Sequence, residues 1–112
     1  MPDDELSTTF AALADPVRRA ILTRLQAGEA TVNELAEPFS ISVQAISRHL
    51  KVLERAGLIS QGQDAQRRPR RLEPGALDST AEWVENHRRA AEERLDRLAD
   101  FLQDHHTKGP RP

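Results

Sequence analysis

A chain of 112 residues is long enough for one domain with a modest core, and its 38% hydrophobic and 30% charged content fits a soluble globular protein with a large surface. The absence of cysteine excludes disulfides, thiolate metal sites and thiol redox sensing. No apolar run approaches the ~18 residues of a membrane span, and the acidic start Asp3-Asp4-Glu5 is unlike a secretion signal, so no membrane contact and a cytoplasmic location are expected.

The net charge of −2 conceals a division. Residues 42–72 hold seven basic residues against two acidic, whereas 73–106 hold four against nine. A basic block inside an acidic frame is an electrostatic footprint for a polyanion.

Residues 1–7 are polar and expected to be disordered, with the folded domain spanning 8–106. Phe10, Leu13 and Ala14 suggest a short first helix. Asp15-Pro16 marks a helix start, Asp as the cap and Pro at the first helical position. Val17, Ile21, Leu22 and Leu25 give this second helix its inward face, and Gly28 ends it. Thr31-Val32-Asn33-Glu34 has the capping-box spacing and opens a short third helix, stopped by Pro38, with Leu35 and Ala36 inward. Phe39-Ser40-Ile41 is a turn whose Phe39 and Ile41 are expected to anchor in the core.

The fourth helix, 42–56, is the most informative stretch. At 100° per residue Ile46, Leu50 and Leu53 fall on one face with Val43 at its margin, while Gln44, Ser47, Arg48 and Lys51 fall on the other. Ser42 is a good N-cap and Gly57 a natural stop. The outward face carries hydrogen-bonding and cationic groups and no acid, a combination suited to phosphates and base edges. A short helix, a tight turn and a helix of this kind make the helix-turn-helix pattern.

Residues 59–72 read as two short strands joined by a polar turn, a wing placed directly after the fourth helix. Arg67, Arg68, Arg70 and Arg71 give it a positive tip, and Pro69 restricts the second strand to an edge. Arg67, Arg68 and Arg70 are expected to face a nucleic acid, with Arg71 turned toward the protein body by strand alternation.

Glu73-Pro74-Gly75 is a break, and from about residue 76 to 106 the pattern is helical. Leu77, Ala81, Val84, Arg88, Ala91, Leu95, Leu98 and Leu102 recur at alternating spacings of four and three, an a/d seam with Trp83 and Phe101 beside it. A stripe of this length exceeds what one small domain covers, and a second copy of the same helix is its expected partner. Arg88 is unusual within the seam; an acidic group across the dimer would account for it. Residues 107–112 are expected to be disordered.

The run Phe10-Ala11-Ala12-Leu13-Ala14-Asp15-Pro16-Val17-Arg18-Arg19-Ala20-Ile21-Leu22 resembles the opening of ArsR-type (ArsR/SmtB) winged-helix repressors. So do Glu34-Leu35-Ala36 and Ser47-Arg48-His49-Leu50-Lys51-Val52-Leu53-Glu54-Arg55-Ala56-Gly57-Leu58-Ile59, and the resemblance covers Phe10 to Leu102. It implies a mainly α, winged helix-turn-helix fold: four helices, a small β-hairpin wing, then a fifth helix. It also implies a homodimer through the first and last helices, binding double-stranded DNA at a palindromic operator and usually repressing transcription. Phe10 and Leu13 would then join Leu77, Val84, Arg88, Ala91, Leu95, Leu98 and Leu102 in the dimer interface.

Metal-sensing members of that family carry a Cys pair on the third helix, where this chain has Leu35-Ala36-Glu37-Pro38. Another subgroup places Asp-x-His and a later His on the last helix. Here Glu85-x-His87 is a partial echo, and Leu98 stands where the second His would be. The resemblance is to the branch without a recognisable metal site. Neither metal nor cofactor is expected, and the effector is unknown.

The expected DNA contacts are Ser42, Val43, Gln44, Ser47, Arg48, His49 and Lys51 from the fourth helix, with Arg67, Arg68 and Arg70 from the wing. His49 lies at the flank of the apolar face, where a packed histidine fits as well as a DNA contact. His87, His105 and His106 read more readily as surface residues than as ligands. No enzyme is expected: there is no Gly-rich phosphate loop and no His-Glu-x-x-His, and the serines lack a nucleophile-elbow context. Two other functions fit the same pattern, a winged-helix module whose basic face meets an acidic protein, and a DNA-binding regulator released by a small-molecule effector. Steep salt dependence and protection of a palindromic site separate DNA from a protein partner.

Overall fold

Seven elements follow one another in the computed structural model, which describes residues 2–63 and 68–107. They are α1 (Pro2–Leu13), α2 (Pro16–Leu25), α3 (Val32–Ala36), α4 (Val43–Arg55), β1 (Ile59–Gln61), β2 (Arg70–Leu72) and α5 (Asp78–Thr107). This is the expected order of a winged helix-turn-helix. The chain divides at Asp78 into two units.

In the first unit, side chains and backbone exchange hydrogen bonds where α2, α3 and α4 begin. The Asp15 carboxylate accepts from the Arg18 N–H at 3.0 Å. Thr31 Oγ1 accepts from the Glu34 N–H at 3.3 Å while Glu34 Oε1 accepts from the Thr31 N–H at 3.0 Å, closing the capping box. Ser42 Oγ accepts from the Ala45 N–H at 3.1 Å. At the far end of α4, Gly57 takes φ +75°. Its N–H reaches the Glu54 carbonyl at 2.9 Å, and the Leu58 N–H reaches that of Leu53 at 3.0 Å, a Schellman stop. Ile21, Leu35, Ile46, Leu50, Leu53 and Leu58 are fully buried and form the centre of the core.

Three local expectations change. α1 begins at Pro2, so most of the stretch expected to be disordered is helical. Proline at a first helical position has a backbone already suited to a helix, and Glu5 in the opening turn meets the positive end of its dipole. Ile41 is 39% exposed, so of the expected pair only Phe39 packs against the core. Phe39 closes the core side of the turn, and Ile41, beside the extended cap residue Ser42 (ψ 157°), is left toward solvent. Finally, the sheet is more than a hairpin. β1 and β2 pair antiparallel with Ile59 opposite Leu72, Ser60 opposite Arg71 and Gln61 opposite Arg70. On the other edge of β2, Ala30 and Arg70 exchange both backbone hydrogen bonds, at 3.1 and 2.7 Å. The loop between α2 and α3 thereby adds a single rung, which Pro69, having no N–H, cannot extend.

The second unit is the greater part of α5, 30 residues and ~45 Å of helix. It starts two residues later than expected, so Leu77 lies in the preceding turn, where the Asp78 N–H meets the Gly75 carbonyl at 3.1 Å. Val84, Leu95, Leu98, Leu102, Trp83 and Phe101 are all exposed along the helix, Leu95 by 63%. Residues 108–112 of the tail expected to be disordered lie outside the described residues.

Candidate nucleic-acid interface

α4 buries one face completely, which leaves the other defined by what it carries. Val43, Gln44, Arg48, Lys51 and Arg55 are exposed, as is the cap residue Ser42, and Ser47 is half-buried. Arg55, seven residues beyond Arg48, extends the same cationic face, although sequence patterning does not mark it. The single acid of the helix, Glu54, is held by the wing. Arg70 Nε donates to Glu54 Oε1 at 2.9 Å, and Gln61 Nε2 donates to the same oxygen at 3.2 Å. The outward face is therefore cationic and polar without a free carboxylate.

The same pair corrects the reading of the wing. Arg70, expected to face DNA, turns to the protein body, and Arg71, expected to face the body, stands toward solvent. Arg70 has a side chain only 13% exposed, bonded to Glu54 and, through Nη1, to the Arg68 carbonyl at 2.6 Å. Arg71 is exposed, and its Nε donates to Ser60 Oγ at 3.2 Å across the hairpin. The cause is parity. Leu72 packs against the core, and in a strand Arg70 must share its face while Arg71 takes the opposite one. Arg68 is exposed with φ +44°, a left-handed conformation two residues before β2. Arg67 lies outside the described residues.

His49 turns toward α2. Its Nδ1 lies 3.2 Å from Arg18 Nη1, from which it can accept, and 3.9 Å from the Asp15 carboxylate. Arg18 Nε and Nη2 also donate to the carbonyls of Ala12 and Ala11, at 2.7 and 3.0 Å. Arg18 thus ties the end of α1 and the start of α2 to the middle of α4, a positioning role that sequence patterning does not single out. The Arg18 backbone N–H holds the Asp15 carboxyl below the usual carboxylate range, against the opposing effect of desolvation.

On α5 the puzzle of Arg88 resolves within its own helix. Its guanidinium donates to Glu85, Nε to Oε2 at 3.0 Å, and also to Glu92. That clamp raises the Arg88 pKa and lowers that of Glu85, each chiefly through their shared hydrogen bond. His87 stacks on Trp83, one turn back, with centroids 3.9 Å apart, and His105 lies tilted against Phe101 at 3.8 Å. Among the described residues no three His, Asp or Glu side chains form a metal-holding group, and no helix is long and apolar enough to cross a membrane.

A family model described as a helix-turn-helix domain matches residues 13–61, from the end of α1 through β1. The transcriptional repressor SdpR of Bacillus subtilis is 36% identical over 81 residues, 72% of this chain and 90% of that protein. Among solved structures, an ArsR-like transcriptional regulator from Rhodococcus sp. RHA1 superposes with a TM-score of 0.77 at 30% identity, over 90% of this chain and 93% of its own. The homodimeric winged helix-turn-helix DNA-binding domain of Mb0332 from Mycobacterium bovis does so at 0.59 and 26%, over 84% of each. The chain belongs to the ArsR family of winged helix-turn-helix transcriptional regulators. It is a DNA-binding regulator, in a family of regulators and not of enzymes, which sets the DNA reading above an acidic protein partner.

Proposed function

We propose that this protein is a homodimeric repressor that reads a palindromic operator with α4 in the major groove and contacts the flanking backbone or minor groove with its wing. The observation that carries the reading is the face of α4: Gln44, Arg48 and Lys51 stand in solvent beside Ser47, and Glu54 is held by Arg70 and Gln61. Gln pairs with adenine and Arg with guanine, each bidentate pair contributing about 1–3 kcal/mol of discrimination. Arg68 and Arg71 take the phosphate-contacting role, in place of Arg70, which is engaged by Glu54.

Self-association through α5 is supported by its exposed apolar stripe and by the homodimeric state of the Mycobacterium bovis domain. Repression is supported by the name of the Bacillus subtilis relative. Two-fold symmetry would set two α4 helices about 34–36 Å apart on one face of a duplex. Such a regulator works in the cytoplasm, with its DNA.

Selection of bound sequences from a random duplex pool tests the reading. The wild-type chain is expected to yield an inverted repeat, and Gln44→Ala and Arg48→Ala each to relax it at one or two positions per half-site. A consensus unchanged in both variants would reject α4 as the reader.

A further inference from the structure

Two branched apolar side chains stand in solvent at the start of α4. Ile41 is 39% and Val43 44% exposed, with only the Ser42 cap between them. Neither fills the core, which Phe39 closes on one side and Ile46, Leu50 and Leu53 fill on the other. Val43, Ser47 and Lys51 form one i,i+4 row of the helix, and Gln44 and Arg48 the neighbouring row. Val43 is therefore continuous with Gln44, Ser47 and Arg48, and Ile41 stands two residues before it, just outside the helix. Arg48, Lys51 and Arg55 beside the pair favour a polyanion over an apolar protein surface as what covers it. In the major groove the apolar group on a base edge is the C5-methyl of thymine.

The geometry points to Ile41 and Val43 as thymine-methyl readers, packing on C5-methyl groups beside the bases that Gln44 and Arg48 bond. This rests on α4 entering the major groove, and adds to that reading the feature recognised without hydrogen bonds.

The test uses the selected duplex, with each thymine replaced in turn by deoxyuridine, which removes one methyl and keeps the pairing. The wild-type chain is titrated against each duplex, together with Ile41→Ala and Val43→Ala. One or two replacements per half-site should weaken wild-type binding about fourfold, the worth of one buried methyl. The same replacements should have no further effect in the variant whose side chain no longer reaches the methyl. Wild-type binding indifferent to every replacement overturns the inference even if neither variant folds. Sensitivity that persists in both variants overturns it as well. Gln44→Ala and Arg48→Ala on the same duplexes separate the two failures: if they relax base preference while deoxyuridine is silent, α4 reads bases without methyl contacts; if they too are silent, α4 is not the reader.

Discussion

Asp15 faces His49 of α4 and Glu54 lies within that helix, and each has a consequence that can be measured. The Asp15 carboxyl is held below its ordinary value chiefly by the Arg18 backbone N–H, so the unfolded chain takes up its proton first. Its contribution to stability is present above the unfolded pKa of about 3.9 and is lost as pH falls through the lower folded value. Urea melts across pH 7 to 2 should therefore show Asp15→Ala less stable than wild type at neutral pH, with the gap narrowing below about pH 4. A gap constant with pH would contradict the cap.

Glu54 is the acid that α4 does not present, because Arg70 binds it. Replacing Arg70 with Gln should release that carboxylate and weaken both stability and DNA binding. The salt slope should be little changed, since Arg70 makes no phosphate contact in this account. Replacing Arg68 and Arg71 together with Gln should weaken all duplexes alike and reduce the slope by about 1 for each phosphate that is no longer neutralised. Salt titrations of the two variants, compared with wild type, check both statements; an unchanged slope in the Arg68/Arg71 variant rejects the wing's role.

At the scale of elements, α4 is delimited by local chemistry at both ends, Ser42 before it and the Gly57 stop after it. A Cβ at Gly57 would meet nothing within 4 Å, so replacement acts through the backbone alone. With φ at +75°, Gly57→Ala should cost about 1–2 kcal/mol in a urea melt without altering base preference. A neutral substitution would contradict the Schellman stop. Such caps are legible in the sequence because a donor and its acceptor lie within a few residues of each other. So is the periodic burial of Ile46, Leu50 and Leu53, which needs only a helix and a core. The Ala30–Arg70 rung is not legible, since it joins residues forty positions apart through backbone groups that every residue possesses. The facing of Arg70 and Arg71 is legible in principle, because Leu72 fixes the parity of the strand; the dense positive charge of the wing carries no facing information of its own. Ile41 misleads for the opposite reason, an apolar residue in a tight turn that the core does not need.

For the whole molecule, the basic block of residues 42–72 and the acidic 73–106 are assigned different tasks by the proposed function. The first lies in the unit that carries α4 and the wing; the second is mostly α5, where Arg88 is neutralised by Glu85 and Glu92 on its own helix and so does not disturb an apolar stripe. A single winged helix meets only a few base pairs, and nonspecific affinity at physiological salt is typically about 10⁻⁴–10⁻⁶ M. Joining two copies makes the second contact effectively intramolecular and raises affinity strongly. Each Leu buried between two α5 helices contributes about 1.5–3 kcal/mol, counted once per subunit, and a carboxylate in its place adds the cost of an unpaired buried charge.

The most direct test is one sedimentation-velocity titration of labelled selected duplex with wild type and with the double variant Leu95→Asp, Leu98→Asp. Wild type should sediment as a dimer and load two protomers per duplex in one step. The double variant should sediment as a monomer and keep only weak, salt-sensitive binding to any duplex. A double variant that remains dimeric, or a monomer that binds the selected duplex with wild-type affinity, would contradict the account.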